Sequence, residues 1–190
     1  MALLRLSEQH EVAVLEFGTR KFGDIAYLCS LAQPTAGVLL NIGRAHLEFF
    51  ESVEGVAKAK GELLDYLGES LTALVNADDR VVVQEVQRTK GRLLTFGFVR
   101  ESGFRGEGLV LDQEGCGHFS LQDNLIDLKI SGRHNVYNAL AAAAGAVSTM
   151  TKTPDSASWR RKRSLISRKR FCSAGVAPLV SPSRLTLYNS

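Results

Sequence analysis

The chain has 190 residues, 45% of them hydrophobic and 23% charged, which is ordinary for one globular domain. Its three cysteines, Cys29, Cys116 and Cys172, lie far apart, which argues against a disulfide framework and a cysteine-based zinc site. The first residues lack the features of a signal peptide, and no apolar run approaches the roughly 18 residues of a membrane span. We therefore expect a cytoplasmic protein with no membrane partner.

The net charge of +3 conceals two unlike segments. Residues 152–190 contain nine Lys and Arg and one acid, Asp155, a net charge of +8, whereas the remainder carries −5. The same segment is rich in Ser, contains three of the four prolines and shows little periodicity. We therefore divide the chain into a folded part, 1–150, and a basic tail, 151–190, for which we expect disorder or weak structure.

The folded part begins with alternating strands and helices. The apolar runs "EVAVLEFG" (11–18) and "TAGVLLNIG" (35–43) end at Gly and are typical of parallel strands that are covered on both faces. Between them, "GDIAYLCSLAQP" (23–34) predicts a helix that stops at Pro34. The alternation continues with a helix in 45–67, a strand and turn at 71–79, a helix at 80–88 and a strand at 92–98.

The pattern changes after residue 100. Short alternating runs broken by Gly and Asp over 103–132 predict two or three antiparallel strands. The alanine-rich stretch 134–147 predicts a helix, with Asn135 as a candidate N-cap. The predicted fold class is therefore α/β, a mostly parallel sheet with flanking helices plus a small antiparallel sheet.

Lys60 occupies an unexpected position in the helix that begins near Ser52. The apolar residues of this helix follow helical spacing and define one stripe, Val53, Val56, Ala57, Leu63, Leu64 and Leu67. Lys60 lies inside that stripe, one turn after Val56 and one turn before Leu64. In contrast, Lys58 lies outside the stripe, and we expect it to form a solvated ion-pair ladder with the glutamates four residues before and after it.

A buried lysine has two interpretations. The simpler one is that the Lys60 side chain extends to the helix edge and keeps its ammonium in water. The other is that burial removes its proton. The neutral amine can then take up carbon dioxide, and the resulting carbamate is an anionic oxygen ligand suited to Mg²⁺.

Two further residues fall where they could join Lys60. Glu16 ends the strand 11–18, and His46 follows the strand 35–43 by a short loop. Ligands of open α/β sheets gather at the carboxyl ends of the strands, so Glu16, His46 and Lys60 could converge at one edge and bind Mg²⁺. The alternatives are a surface charge for Glu16 and a histidine bonded to the backbone for His46.

Four motifs, in this order, resemble the Mur ligase family. They are "LEFGTRKFGDIAYL", "NIGRAHLEFFESVEGVAKAKGEL", "LVNADD" and "SGRHNVYNALAAAA", and the resemblance to the central, ATP-binding domain covers about residues 3–148. It implies a P-loop-NTPase-like fold. The resemblance is greatest to the member that adds D-Ala-D-Ala to UDP-MurNAc-tripeptide, a reaction of peptidoglycan precursor synthesis.

The resemblance also implies a mechanism and the residues that serve it. A substrate carboxylate attacks the γ-phosphate of ATP, and the amine of D-Ala-D-Ala then attacks the acyl phosphate. Glu16 and His46 match the family's Mg²⁺ ligands, and Lys60 matches the lysine whose carbamate binds or orients the metal. By resemblance, Lys60 and His46 are therefore the catalytic candidates.

The start of the alanine-rich helix resembles the segment that contacts the adenine nucleotide. Asn138 matches this segment, as do Asn135 and His134. Asn135 and Asn138 are three residues apart, so one helix face could present both. The alternative is that these amides are only an N-cap and a residue at the edge of the core.

The chain also departs from the family pattern. It contains no G-x-x-x-x-G-K-[ST] or similar phosphate-binding loop, and the basic tail stands in place of the C-terminal ligase domain. We therefore expect an incomplete, truncated version of the central domain that is inactive alone. For the isolated chain we expect weak or no binding of ADP and Mg²⁺.

Other functions remain open from the sequence. One alternative is a related ligase, such as the meso-diaminopimelate- or lysine-adding enzyme or folylpolyglutamate synthase. Another is a non-catalytic protein that binds nucleic acid through "RRKRSLISRKR" in its tail, with a steep salt dependence. We favour a non-native tail over a nucleic-acid-binding one because the composition changes abruptly after a well-formed helix.

Overall fold

The computed structural model describes residues 12–43, 47–150 and 185–188. Eight strands form one sheet in the order β1-β8-β2-β3-β4-β5-β6-β7. The strands are β1 (Val14–Glu16), β2 (Ala36–Leu39), β3 (Thr72–Asn76), β4 (Arg92–Gly97), β5 (Phe104–Leu111), β6 (Cys116–Leu121), β7 (Asn124–Ser131) and β8 (Leu185–Tyr188).

The sheet is parallel at one end and antiparallel at the other. All neighbours from β1 to β5 run parallel, whereas β5, β6 and β7 pair antiparallel. This arrangement confirms the predicted fold class and the predicted change of pattern after residue 100. The strands of the antiparallel part are six to eight residues long, whereas β1 and β2 have three and four.

Helices cover both faces of the parallel part. The helices are α1 (Asp24–Ala32), α2 (Leu47–Phe50), α3 (Val53–Tyr66), α4 (Arg80–Glu85), which continues into a 3₁₀ turn (Val86–Arg88), and α5 (Arg133–Met150). Leu39 and Val75 pack with α1 and α3 on one face, while the preceding residue of each strand, Val38 and Leu74, packs with α5 on the other. Successive strand residues point to opposite faces, so nearly continuous apolar strands are what a sheet covered on both sides requires.

Four residues of the predicted tail form a strand. Leu185–Tyr188 forms β8, which pairs parallel with both β1 and β2. The sequence "LTLY" alternates β-branched, aromatic and leucine residues, which favours a strand where two open strand edges are available. The other residues of the predicted tail, 151–184 and 189–190, lie outside the described residues, and the proposed division at residue 150 stays a prediction.

Helix α3 confirms one predicted cap and corrects a predicted ion pair. The Ser52 hydroxyl accepts a hydrogen bond from Gly55 N (3.1 Å), as an N-cap serine does. The Glu62 carboxylate accepts hydrogen bonds from the backbone at the start of α1, at 2.7 and 3.1 Å. Lys58 Nζ lies 5.7 Å from the centroid of the Phe22 ring. The expected Lys58–Glu62 pairing is therefore wrong, because the unsatisfied N–H groups of α1 take the carboxylate.

Arg88 joins the end of α4 to α3. Its guanidinium donates to the carboxylates of Asp65 and Glu85 and to the carbonyl oxygen of Lys58. Gly61 faces this guanidinium, and a Cβ at that position would collide with it. The absence of a side chain at Gly61 therefore permits Arg88 to lie across the helix.

A histidine between two carboxylates links the antiparallel strands. His118 Nδ1 lies 2.7 Å from an oxygen of Asp127 on β7, and Nε2 lies 3.2 Å from an oxygen of Asp112 in the β5–β6 turn. The hydrogen bonds with Asp127 and Asp112 raise the pKa of His118 above its ordinary value. The protonated ring therefore stabilises the pairing of these three segments.

Across the described helices, none combines the length and apolar character that a bilayer crossing needs.

Candidate active site

Lys60 is buried at the carboxyl edge of the parallel sheet. Its side chain is 1% exposed, and its Nζ donates a hydrogen bond to the carbonyl oxygen of Asn41, just beyond β2, at 3.2 Å. The interpretation in which Lys60 extends into water is therefore excluded. The helical spacing of the sequence correctly distinguished Lys60 from Lys58, which is exposed.

Burial changes the acid–base behaviour of Lys60. Desolvation lowers its pKa from 10.5 to about 8, and the nearby charge of Asp79 opposes this shift. A pKa near 8 leaves an appreciable fraction of neutral amine near neutral pH. The side chain can therefore act as a nucleophile, which an exposed lysine does far less readily.

Three side chains hold the loop 40–42 that leaves β2 beside Lys60. The amide of Asn76 donates to the first carbonyl of this loop at 2.9 Å, and Lys60 donates to the second. The carboxylate of Asp79 accepts from the third residue's N–H at 3.0 Å and also caps α4. Neither Asn76 nor Asp79 was predicted as a site residue, although the polar residues that begin at the last residue of β3 were a usable signal.

The structure places Glu16 at the same edge as Lys60. Glu16 is the exposed last residue of β1, which is separated from β2 by β8. Two strand spacings put β1 and β2 about 10 Å apart. His46 lies outside the described residues, so the convergence of Glu16, His46 and Lys60 stays a prediction.

A modified Lys60 would change which metal ions this edge of the sheet can bind. Within the ranges that the structure describes, no group of three or more His, Cys, Asp and Glu could hold a metal ion. His46 falls outside those ranges, and a lysine enters such a set only as its carbamate. Glu16 offers an exposed carboxylate, and a carbamate on Lys60 would add a second anionic oxygen group, which is the donor chemistry that Mg²⁺ prefers.

The three predicted nucleotide contacts lie at the start of α5. His134 is exposed, while Asn135 and Asn138 are half-buried. The helix begins at Arg133, so Asn135 is not the N-cap; its amide lies in the first turn and donates to the carbonyl oxygen of Ser131 at 2.8 Å. Gly132, with φ of 108°, directly precedes the helix, which is why the helix starts earlier than the sequence predicted.

Comparison with known proteins gives one family. Residues 1–146 match the Mur ligase middle domain. The UDP-N-acetylmuramoyl-tripeptide–D-alanyl-D-alanine ligase of Escherichia coli K12 is 39% identical over 155 residues, which are 78% of this chain and 34% of that protein. The Bacillus subtilis 168 ligase of the same name is 35% identical over 149 residues, 77% of this chain and 32% of its own length.

Solved structures agree in fold. MurF from Acinetobacter baumannii superimposes with a TM-score of 0.70 at 30% identity, covering 76% of this chain and 32% of that one. MurF from Thermotoga maritima, in complex with ADP, gives a TM-score of 0.59 at 31% identity, covering 74% and 33%. This chain thus spans about a third of the length of the curated relatives it matches. On the match of its sequence and its sheet, the chain belongs to the Mur ligase family, through that family's middle domain.

Proposed function

We propose that this chain is the middle domain of a cytoplasmic, ATP-dependent ligase that adds D-Ala-D-Ala to UDP-MurNAc-tripeptide through an acyl phosphate. The observation that carries the proposal is the burial of Lys60 at the carboxyl edge of the sheet, with its pKa lowered to about 8. Relatives of this chain at 30–39% identity carry the name of that ligase, which favours it over other members of the family.

Lys60 is proposed to act as a carbamate. The nitrogen lone pair of the neutral amine forms a bond to the carbon of CO₂, and the electron pair of one C=O bond becomes an anionic oxygen. The nitrogen then releases one proton to water. Desolvation favours the neutral amine, so the same burial that makes Lys60 costly as an ammonium promotes this reaction.

Glu16, His46 and the carbamate of Lys60 are the proposed holders of Mg²⁺. When bound, Mg²⁺ would neutralise phosphate charge during phosphoryl transfer. The hydrogen bonds of Asn76 and Asp79 to the loop 40–42 support the proposal, because they fix the start of the segment that leads to His46. Without these hydrogen bonds, the loop that carries the ligand would lose more conformational entropy when the metal binds.

Asn138, Asn135 and His134 are the proposed contacts to the adenine nucleotide. They share the first turns of α5, and α5 packs on the sheet face opposite α1 and α3. The ADP complex of the Thermotoga maritima relative supports a nucleotide as the ligand of this fold.

The carbamate can be tested with ¹³C-bicarbonate. We expect the chain to show a carbamate carbon signal by NMR at pH 8 to 8.5, because the Lys60 amine is then largely neutral and bicarbonate still supplies CO₂. Lys60→Met should abolish the signal. Lys58→Met is the matched control, since Lys58 lies two residues away on the exposed face of α3 and should leave the signal intact.

The outcomes separate the residues cleanly. A signal that survives in Lys60→Met but disappears in Lys58→Met would assign the chemistry to the wrong face of the helix. Absence of any carbamate in the unsubstituted chain would overturn the proposed role of Lys60.

A further inference from the structure

The motif "NADD" after β3 connects two separate parts of the proposed site. Asn76 and Asp79 turn toward the loop 40–42 and the Lys60 side of the sheet edge. The side chain of Asp78, which lies between them in the sequence, instead contacts the residues after β4 and helix α5. The Asp78 backbone N–H donates a hydrogen bond to the Asn76 side-chain oxygen at 2.9 Å. The side chain of Asn76 therefore also holds the backbone from which the Asp78 side chain extends.

The Asp78 carboxylate accepts hydrogen bonds from four groups. Three are consecutive backbone N–H groups directly after β4, those of Phe98 (2.6 Å), Val99 (3.1 Å) and Arg100 (2.8 Å). The fourth is the Tyr137 hydroxyl of α5, at 2.9 Å. Although partial burial would raise it, these bonds hold the pKa of Asp78 below its ordinary value. The group is therefore an anion at neutral pH, and its bonds are of the stronger, charge-assisted kind.

Tyr137 attaches α5 to this anion. Its ring meets that of Phe98 edge-on, with centroids 5.2 Å apart, and its hydroxyl reaches Asp78. Burying a tyrosine is favourable when its hydroxyl donates a hydrogen bond, and the half-buried Tyr137 donates to a charged acceptor. The first turns of α5 are thus held at a fixed distance from the ends of β3 and β4.

The proposed nucleotide contacts lie on either side of Tyr137 in the sequence. Asn138 directly follows Tyr137, and His134 lies three residues before it. A rotation of α5 about its axis would therefore move Tyr137, Asn138 and His134 together. Asn135 contributes a local bond to Ser131 that fixes the helix start but not its orientation toward the sheet. The bond from Tyr137 to Asp78 adds a polar link between α5 and the ends of the strands to the apolar packing of Val136 and Leu140.

We propose that Asp78 and Tyr137 are positioning residues, which orient the first turns of α5 for an adenine nucleotide and couple them through "NADD" to the Lys60 edge. The inference rests on the proposed function for the nucleotide contacts. It adds two residues that need not touch the ligand, since both use their polar atoms on the protein itself.

Hydrogen–deuterium exchange of the full chain, with and without Mg²⁺ and ADP, tests the inference. The variants are Tyr137→Phe, which removes only the hydroxyl, and Tyr27→Phe, a matched loss of a hydroxyl from an exposed tyrosine on α1. Without nucleotide, Tyr137→Phe should exchange faster at 98–100 and in the first turns of α5, and Tyr27→Phe should not. Asp78→Asn changes the acceptor of the same bond, and it should also speed exchange at 98–100 and in the first turns of α5.

The nucleotide readout separates positioning from stability. At a temperature at which all variants are folded, and at ADP concentrations raised to meet the weak binding expected of the chain alone, ADP should protect the start of α5. Tyr137→Phe should need up to about tenfold more ADP for half-protection, because it loses a bond to a charged group. Equal protection in Tyr137→Phe and the unsubstituted chain would overturn the inference and leave the proposed function standing. No protection in the unsubstituted chain would overturn both the nucleotide assignment and the inference, while the carbamate on Lys60 would still be judged separately.

Discussion

The side-chain nitrogen of Lys60 donates a hydrogen bond to the carbonyl oxygen of Asn41, and it does so from a side chain that is 1% exposed. A carbonyl offsets only part of the cost of taking an ammonium out of water. Lys60 therefore opposes folding at neutral pH in its charged form, and this cost has measurable consequences.

Lys60 should make the stability of the chain rise in alkali. Its pKa is about 8 in the folded chain and near 10.5 when unfolded, so between these values the unfolded chain binds more protons. Raising the pH through this window should therefore increase the free energy of unfolding, by about 3 kcal/mol in total. Urea unfolding at pH 7.5 to 10.5 measures the change.

Lys60→Met provides the comparison for this pH dependence. Methionine has similar length and no charge, so the variant should be at least as stable as the unsubstituted chain at pH 7 and should lack the alkaline gain. An identical pH profile in both proteins would contradict the lowered pKa.

Asp79 should set the pH at which the free energy of unfolding begins to rise. Its charge raises the pKa of Lys60, while its two oxygens also cap α4 and bind the backbone of the loop 40–42. Asp79→Asn retains one oxygen for capping but removes the charge, so the alkaline gain should begin at a lower pH. The same urea titrations measure it, and an unshifted profile with an intact fold would contradict the electrostatic role.

His118 should make the antiparallel strands weaken as the pH rises. The hydrogen bonds from Asp127 and Asp112 raise its pKa in the folded chain, so its stabilisation is complete below the unfolded pKa near 6.5 and is lost as the pH passes the folded value. Amide exchange in β6 and β7 should therefore accelerate across this window. In His118→Gln the exchange should follow only the intrinsic pH dependence, and a remaining step would assign the effect to another group.

Gly61 and Arg88 should be energetically coupled. Gly61→Ala gains about 1 kcal/mol of helix propensity but displaces the Arg88 guanidinium from its acceptors. We therefore expect little net change in the unsubstituted background and a gain of about 1 kcal/mol in an Arg88→Ala background. A double-mutant cycle by urea unfolding measures the coupling, and equal gains in both backgrounds would show that the two residues are independent.

The periodicity of the sequence predicted the elements because burial on two faces leaves a strong pattern. The runs that became β2 and β3 are continuous because Val38 and Leu39, like Leu74 and Val75, face opposite layers of helices. The same reasoning located Lys60, since a helix face is fixed by spacing alone.

Long-range polar contacts were not predictable in the same way. Asp78 meets Tyr137 across 59 positions of sequence, and Glu62 caps a helix 36 to 39 residues before it. A carboxylate in a turn or on a helix face carries no local sign of which distant N–H or hydroxyl it will accept. The start of α5 was misplaced because Gly132, rather than Asn135, precedes its first turn.

The position of β8 determines when the sheet can be completed. Val14 pairs with Leu185, so β1 gains its neighbouring strand only from residues about 170 positions later in the sequence. Until residues 185–188 pair between them, the edges of β1 and β2 that flank β8 stay open, and closing so long a loop is slow. We therefore expect β2 through β7 to assemble before β1 joins the sheet, which would leave the open edges of β1 and β2 available for pairing with another strand.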